Sequence, residues 1–430
     1  MMHHTQLVIL LIITPLTLSF TQFYQAHHSS LSTSLNSLAA DNKKFYVVPQ
    51  SASPTIDRPT DQRVTLTRYL NDVVKEQPEF LPLQSLFLSL QMACKTISNL
   101  VNRAGLVYGI QDRSISGQQY QRDGRFYSMK RLDQLSTTVL KSALRFTGKV
   151  HMVTPARTNV QDIVAEHQPG VVLAAALDSN YIAVVDPMDG SGNADASICT
   201  GTVFGIFAHN PTDHKDDHPN NLAEASPEYL IQSVLQPGKN MRAAGYCLYS
   251  SATVLVIALG DTVMGFTLDP QLNEFVLTHP YLTIPKRGNV YSCNEANSEG
   301  WDASFKDYLK ALKTGTNESQ RRYAHRYVGS MVGDIHRTLL YGGIFCYPTD
   351  DGQHPQGNLQ LLYKSAPMAF VVEKAGGLSM NQSGESLLNV IPERVHQKSP
   401  CFMGSPDDVN ECRRYLQRDI DSIQSLNSNI

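Results

Sequence analysis

The sequence lacks paired cysteines and a strong excess of charge of either sign. Its seven cysteines are dispersed, and none stands in a Cys-x-x-Cys or other metal-ligand spacing. An odd, scattered set argues against a disulfide framework and predicts reduced, mostly buried thiols. A formal charge of −3 provides no basic surface for nucleic acid. The 430 residues are enough for a soluble enzyme with two packed domains.

The first forty residues contain no Asp, Glu, Lys or Arg, and their main apolar run is short. Leu7–Leu18 is too short to span a bilayer comfortably but has the length of a signal-peptide core. A Ser- and His-rich stretch follows at residues 27–37. The layout resembles the signal-plus-transit presequence of algae with complex plastids, with cleavage near Ser19-Phe20. We therefore predict a plastid-targeting presequence over residues 1–60 and a mature protein without membrane contact. A secretory signal, a membrane anchor and a cytoplasmic location are the alternatives.

The most informative stretch is an apolar run followed by acidic and small residues. Tyr181–Val185 has the composition of a buried strand, and residues 186–193 read DPMDGSGN. We expect the strand to end at Val185 and a turn set by Pro187 and Gly190 to follow. The two carboxylates could then face one point, as ligands for a hard cation such as Mg²⁺. The small residues would leave backbone N–H groups free for a phosphate. A plain surface turn explains the same residue types.

Hydrophobic periodicity predicts an alternation of helices and strands. Helices are predicted at Leu83–Ala104, Leu132–Phe146, Trp301–Lys313, Ser330–Tyr341 and Ala366–Ala375. β-rich runs are predicted at Tyr181–Val185, Thr202–Phe207, Ala243–Leu259 and Thr262–Leu268. A polar insertion between Ala208 and Gly238 indicates a solvated loop. The pattern indicates a layered α/β protein.

Eight short motifs occur in an order typical of one enzyme family. They read DPMDGSGN, GTVFGIF, AAGYCLYSSAT, RYVGSM, HRTLLYGGIF, APMAF, EKAGG and GSPDDV. The series resembles class I fructose-1,6-bisphosphatase and its relative sedoheptulose bisphosphatase, from about Thr65 to about Leu416. The resemblance implies a sandwich of helices and mixed sheets with an N-terminal domain over residues 61–289, a C-terminal domain over 290–416 and a tail over 417–430. It also implies a homotetramer that hydrolyses the 1-phosphate of fructose 1,6-bisphosphate with Mg²⁺.

The resemblance assigns the reacting end of the site residue by residue. Metal ligands fall on Glu166, Asp186, Asp189 and the carbonyl of Met188. Gly190 and Ser191 fall where backbone amides hold the reacting phosphate. Asp133, in LDQLS, matches an aspartate that helps to activate water; without the resemblance it would be read as a helix cap.

The distal phosphate of the substrate is assigned to a second group. The resemblance places Asn294, Arg326, Tyr327 and Tyr347 around it, and the arginine acts across a subunit interface in the family. Cations are missing nearby, because Asn358 and Gln360 replace two basic residues of the family motif.

The sequence also departs from the family at the metal site. Lys364 replaces a metal-ligating glutamate, and a fixed ammonium there could compete with a cation or stand in for one. Glu166-His167 retains one carboxylate of a pair, whereas an alternative alignment through residues 153–156 (VTPA) retains none. Tyr127 replaces an aspartate. Three hypotheses follow: an active Mg²⁺-dependent bisphosphatase, a catalytically weak paralogue that acts as a sugar-phosphate sensor or subunit, and a phosphatase for sedoheptulose bisphosphate or an inositol phosphate.

Overall fold

The computed structural model describes residues 63–104, 132–144, 150–153, 172–176, 181–208, 233–352 and 354–427. The predicted presequence, the polar insertion, Tyr127, Glu166 and His167 therefore lie outside the described residues. Within these ranges no helix has both the length and the apolar composition needed to cross a membrane. Six of the seven free cysteines are buried, and Cys199 is half-buried.

An antiparallel sheet of eight strands forms the first layer, and its strands follow one another in chain order. The strands are β1 (Val150–Val153), β2 (Val172–Ala176), β3 (Tyr181–Asp189), β4 (Thr200–Ala208), β5 (Met241–Tyr249), β6 (Thr253–Leu259), β7 (Thr262–Asp269) and β8 (Glu274–His279). The predicted run Ala243–Leu259 is thus two strands, because residues 250–252 bend between them. The central strands β3 to β6 are buried along nearly their whole length.

A smaller mixed sheet of five strands forms the second layer, in the order β10-β9-β11-β15-β13. Its members are β9 (Val290–Ser292), β10 (Ala324–His325), β11 (Ile344–Tyr347), β13 (Leu378–Met380) and β15 (Cys401–Gly404). β9 pairs in parallel with both β10 and β11, and the other pairs are antiparallel. Separately, β12 (Leu359–Gln360) pairs with β14 (Lys398–Ser399).

Seven described helices accompany the sheets. They are α1 (Leu66–Glu76), α2 (Leu81–Asn102), α3 (132–144), α4 (Ala303–Thr314), α5 (Met331–Tyr341), α6 (Ala366–Lys374) and α7 (Pro406–Asn427). One buried core joins residues of both sheets with α5 and α6, and a second core joins the smaller sheet with α4 and α7. Burial of these apolar faces is the main stabilising contribution. The predicted layered α/β sandwich with mixed sheets is confirmed.

Candidate active site

The paired aspartates lie inside β3, and not in a turn after it as the sequence predicted. Asp186 is opposite Val203 on β4, whereas Asp189 is opposite Gly201, so the register shifts between them. Residues three apart face opposite sides of a regular strand. The extra residue is a β-bulge that re-aims the chain, which allows both carboxylates to reach the same side chain.

That shared side chain is Lys364, in a π-helical turn at Leu361–Ser365 just before α6. Its Nζ lies 3.0 Å from Oδ2 of Asp186 and 3.3 Å from Oδ1 of Asp189. Burial lowers the pKa of Lys364, but the two carboxylates raise it more, so the pKa lies above its ordinary value. The ammonium therefore stays charged and offsets part of the negative charge of the pair.

The other oxygen of Asp189 is held by the start of α5. Oδ2 accepts hydrogen bonds from the Ser330 hydroxyl at 3.0 Å and from the Val332 N–H at 3.1 Å. Gly190 follows with φ +69°, and a Cβ added there would lie 2.9 Å from Cβ of Ser330. Only glycine combines this left-handed backbone with so close an approach. The DPMDGSGN and RYVGSM motifs are therefore packed against each other.

Asp186 is fully buried; its Oδ2 lies 3.0 Å from the Lys364 ammonium, and its Oδ1 has no side-chain partner among the described residues. Burial raises its pKa, the ammonium of Lys364 lowers it, and the charge of Asp189 raises it again. The Met188 N–H also favours the charged form. A buried carboxylate with spare lone pairs is a suitable ligand for a hard cation.

Asp133 lies in the first turn of α3 and belongs to the same electrostatic group. Burial raises the pKa of Asp133 to about 6; a hydrogen bond from Ser191 opposes this, and the charge of Asp186 adds to it. Its Oδ1 is buried and has no hydrogen-bond partner among the described residues. Oδ1 of Asp133 and Oδ1 of Asp186 therefore fit a metal ion, while Lys364 occupies the side that faces Oδ2 of Asp186 and Oδ1 of Asp189.

The residues predicted for the distal phosphate lie on the smaller sheet and its loops. Asn294 precedes a short 3-10 helix at Glu295–Gly300, and the exposed Arg326 donates from Nη1 to the carbonyl of His325 at 2.9 Å. Burial raises the pKa of the half-buried Tyr327, and the neighbouring Tyr347 raises it further. These two tyrosines are thus close in space.

Lys398 is a residue that the sequence analysis missed. Its Nζ donates to Oδ1 of Asn358 at 3.0 Å, and Nδ2 of Asn358 donates to the Tyr347 hydroxyl at 3.2 Å. A single lysine outside any motif gives no indication of function in the sequence. The pairing of Gln360 on β12 with Lys398 on β14 places this lysine next to Asn358. The loss of positive charge inferred from Asn358 and Gln360 is therefore partly offset by Lys398.

Two models of one protein family match most of the chain. Residues 64–280 match the family model of the fructose-1,6-bisphosphatase N-terminal domain, and residues 284–417 match that of the C-terminal domain. The chain belongs to the fructose-1,6-bisphosphatase family. Members of this family are metal-dependent. The inferred roles of single residues, including Glu166, and the domain bounds stay predictions.

Relatives and solved structures extend the likeness over most of the chain. The chain is 41% identical to the chloroplastic fructose-1,6-bisphosphatase of Spinacia oleracea, covering 76% of this chain and 75% of that protein. It is 39% identical to the cytosolic enzyme of Solanum tuberosum, covering 83% and 96%. The apo crystal structure of Leishmania major fructose-1,6-bisphosphatase is similar with a TM-score of 0.66 and 35% identity, covering 83% of this chain and 99% of that one.

Proposed function

We propose that the protein hydrolyses the 1-phosphate of fructose 1,6-bisphosphate with Mg²⁺, releasing fructose 6-phosphate and phosphate. The observation that carries the proposal is the convergence of Asp186 and Asp189 on Lys364, within electrostatic reach of Asp133. Such a group of carboxylates beside a small-residue loop is suited to phosphoryl transfer, which needs positioning and charge neutralisation.

Each residue then has a chemical task. Asp186 and Asp133 would hold the Mg²⁺ through Oδ1 of each, and the predicted ligands Asp189 and Glu166 and the Met188 carbonyl could complete the shell. The ion would supply Lewis-acid stabilisation of the phosphoryl oxygens. Asp133 in its ionised form accepts a proton from the attacking water. Gly190 and Ser191 would hold the reacting phosphate by backbone N–H groups.

Lys364 makes the site unlike a purely carboxylate metal centre. Its ammonium occupies part of the space between the two aspartates. It also supplies part of the positive charge that a divalent ion would otherwise supply there. This contact also favours a second candidate function, a paralogue that binds the sugar phosphate but turns it over poorly. Both functions require binding of the distal phosphate, but only the first requires metal-dependent turnover.

The test is phosphate release from fructose 1,6-bisphosphate by the purified protein, with and without Mg²⁺. Asp186→Asn and Asp189→Asn should each lower the rate at least about a thousandfold, since each removes several kcal/mol of transition-state stabilisation. Asp261→Asn is the matched control, because that side chain is 86% exposed and forms a surface ion pair with Lys374. Turnover that survives either site change would remove the aspartate pair from the mechanism.

Two further measurements separate the alternatives. Binding of fructose 6-phosphate without turnover of the bisphosphate would favour the weak paralogue. Faster phosphate release from sedoheptulose bisphosphate or an inositol phosphate than from fructose 1,6-bisphosphate would favour the related phosphatases.

We also propose a homo-oligomer, as a tetramer, that acts in a plastid. The exposed Arg326 supports the assembly because, among the described contacts, its guanidinium donates a hydrogen bond only to the carbonyl of the preceding residue, His325. Several similar relatives are chloroplastic and one is cytosolic. A fluorescent fusion of residues 1–60 should reach the plastid of an alga with complex plastids; retention in the secretory pathway or cytoplasm would contradict this location.

A further inference from the structure

Three metal-ligating side chains converge on the smaller sheet, away from the aspartate pair. Cys293 follows β9, Glu295 begins the next 3-10 helix, and His325 lies on β10. The parallel pairing of β9 and β10 places His325 opposite Tyr291. One ligand atom of each of the three residues lies within 4.8 Å of the other two. The sequence showed no metal-ligand spacing here because strand pairing alone brings the histidine close.

The surrounding contacts orient two of these ligands. The His325 ring stacks on Tyr291 at 5.0 Å between centroids, and its Nε2 lies 2.9 Å from the Cys293 carbonyl. When Nε2 donates this hydrogen bond, Nδ1 keeps a free lone pair. The Tyr291 hydroxyl donates to Oε1 of Glu295 at 2.7 Å. Ligating histidines and carboxylates are commonly held by outer hydrogen bonds of this kind.

The donor set selects a class of metal. A thiolate, an imidazole and a carboxylate suit Zn²⁺ and Co²⁺, whereas Mg²⁺ and Ca²⁺ prefer oxygen ligands. Bonds of about 2.0–2.3 Å place tetrahedral ligands about 3.3–3.8 Å apart. Ligand atoms at the 4.8 Å limit would therefore have to approach by about 1–1.5 Å, and nearer ones by less. His325 is exposed and Glu295 half-buried, which leaves them room to move towards the buried Cys293.

The charges of the ligands also suit a divalent ion. The Cys293 thiolate and the Glu295 carboxylate together carry two negative charges, which balance the charge of such an ion. Lys313 donates to Oε2 of Glu295 at 2.7 Å, but each carboxylate oxygen has a second lone pair for the metal. Binding would convert the Cys293 thiol to a thiolate, with its proton released to solvent.

We propose that Cys293, Glu295 and His325 form a binding site for a zinc-like divalent ion, with the fourth position taken by water. The site adjoins Asn294 and Arg326 in the chain. A bound ion would therefore order the segments that carry both residues, a consequence that rests on the proposed function. The binding itself does not depend on that function.

The test is titration of the full-length, reduced, metal-free protein with Co²⁺, followed by absorption spectroscopy. A sulfur-containing tetrahedral site should show visible d–d bands and a near-ultraviolet thiolate-to-cobalt band, and Zn²⁺ should displace both. Cys293→Ala should abolish the thiolate band. His325→Ala, which changes an exposed side chain and should leave the fold intact, should weaken Co²⁺ affinity at least about tenfold.

Cys199→Ala is the matched control. Cys199 is half-buried and feels the charge of Asp189, so it is a sulfur that cobalt bound at the aspartate pair could reach. We expect the control to keep the thiolate band. A band that is lost in Cys199→Ala and kept in Cys293→Ala, or no thiolate band at saturating Co²⁺, would overturn the proposal. Because the readout is optical, loss of phosphatase activity leaves it unaffected.

Discussion

The ammonium of Lys364 lies 3.0 Å from Oδ2 of Asp186, a carboxylate with no exposed surface. The lysine side chain is itself only 12% exposed, and it also reaches Asp189 at 3.3 Å. Burial of two carboxylates at one point is unfavourable unless a cation compensates them. Lys364 therefore contributes to folding as well as to the chemistry of the site.

We predict that Lys364→Met lowers the free energy of unfolding by about 3–5 kcal/mol when no divalent ion is present, because it leaves buried carboxylates uncompensated. Mg²⁺ should restore much of this loss, since binding to the native state adds stability. Denaturant unfolding with and without Mg²⁺ measures both effects. Lys374→Met is the control: its surface pair with Asp261 should change stability by about 1 kcal/mol or less. Equal stability of the two variants would show that Lys364 does not compensate the pair.

The pH dependence of turnover should reflect Asp133. Burial raises the pKa of Asp133 to about 6, and the proposed base must be ionised. We therefore expect kcat/KM to fall as the pH drops through about 6, or somewhat lower with bound Mg²⁺, because protonation removes the base. Asp133→Asn should lower the rate by about 100- to 10,000-fold and remove this acidic limb.

Asp408→Asn is the control for this profile. Burial raises the pKa of Asp408 to about 6 as well. Asp408 accepts a hydrogen bond from Tyr323, a residue of the second core, and should not take part in turnover. For the Asp408→Asn variant, kcat/KM should therefore fall at the same acidic pH as for the wild type. A limb that persists in Asp133→Asn would assign the base to another residue.

Lys398 should determine substrate affinity. We predict that Lys398→Met raises KM for the sugar bisphosphate about tenfold or more while kcat is retained, because it removes an ammonium that lies beside Asn358 and the predicted distal-phosphate residue Tyr347. Steady-state kinetics measure both constants, and Lys374→Met again serves as the control. A fall in kcat with unchanged KM would place Lys398 outside the substrate site.

Subunit complementation tests the role of Arg326. Asp189→Asn and Arg326→Ala subunits should each be poorly active alone, whereas co-refolded mixtures should regain about a quarter of the wild-type rate at best, because random pairing leaves some complete sites. Light scattering of the same samples gives the oligomeric state. A strictly monomeric protein, or mixtures without recovered activity, would contradict an arginine that serves a neighbouring subunit.

Much of the secondary structure was predictable because it depends on local periodicity. The predicted helix at Ala366–Ala375 is α6 (Ala366–Lys374), and the predicted strand at Thr262–Leu268 is β7 (Thr262–Asp269). The exact path near Asp186 was not predictable. A β-bulge is defined by register against the neighbouring strand, and residues 186–193 have the composition of a turn.

The sequence by itself determined the family and the layered α/β class, because the order of the motifs and the hydrophobic patterns can be read from the residue order alone. It also marked Asp186, Asp189 and Lys364 as residues to examine. Only the tertiary structure decided that the Lys364 ammonium contacts both carboxylates. Strand pairing likewise decided that Lys398 reaches Asn358 and that His325 meets Cys293. These contacts join residues far apart in the chain, and their geometry is set by sheet register and packing, which no local pattern encodes.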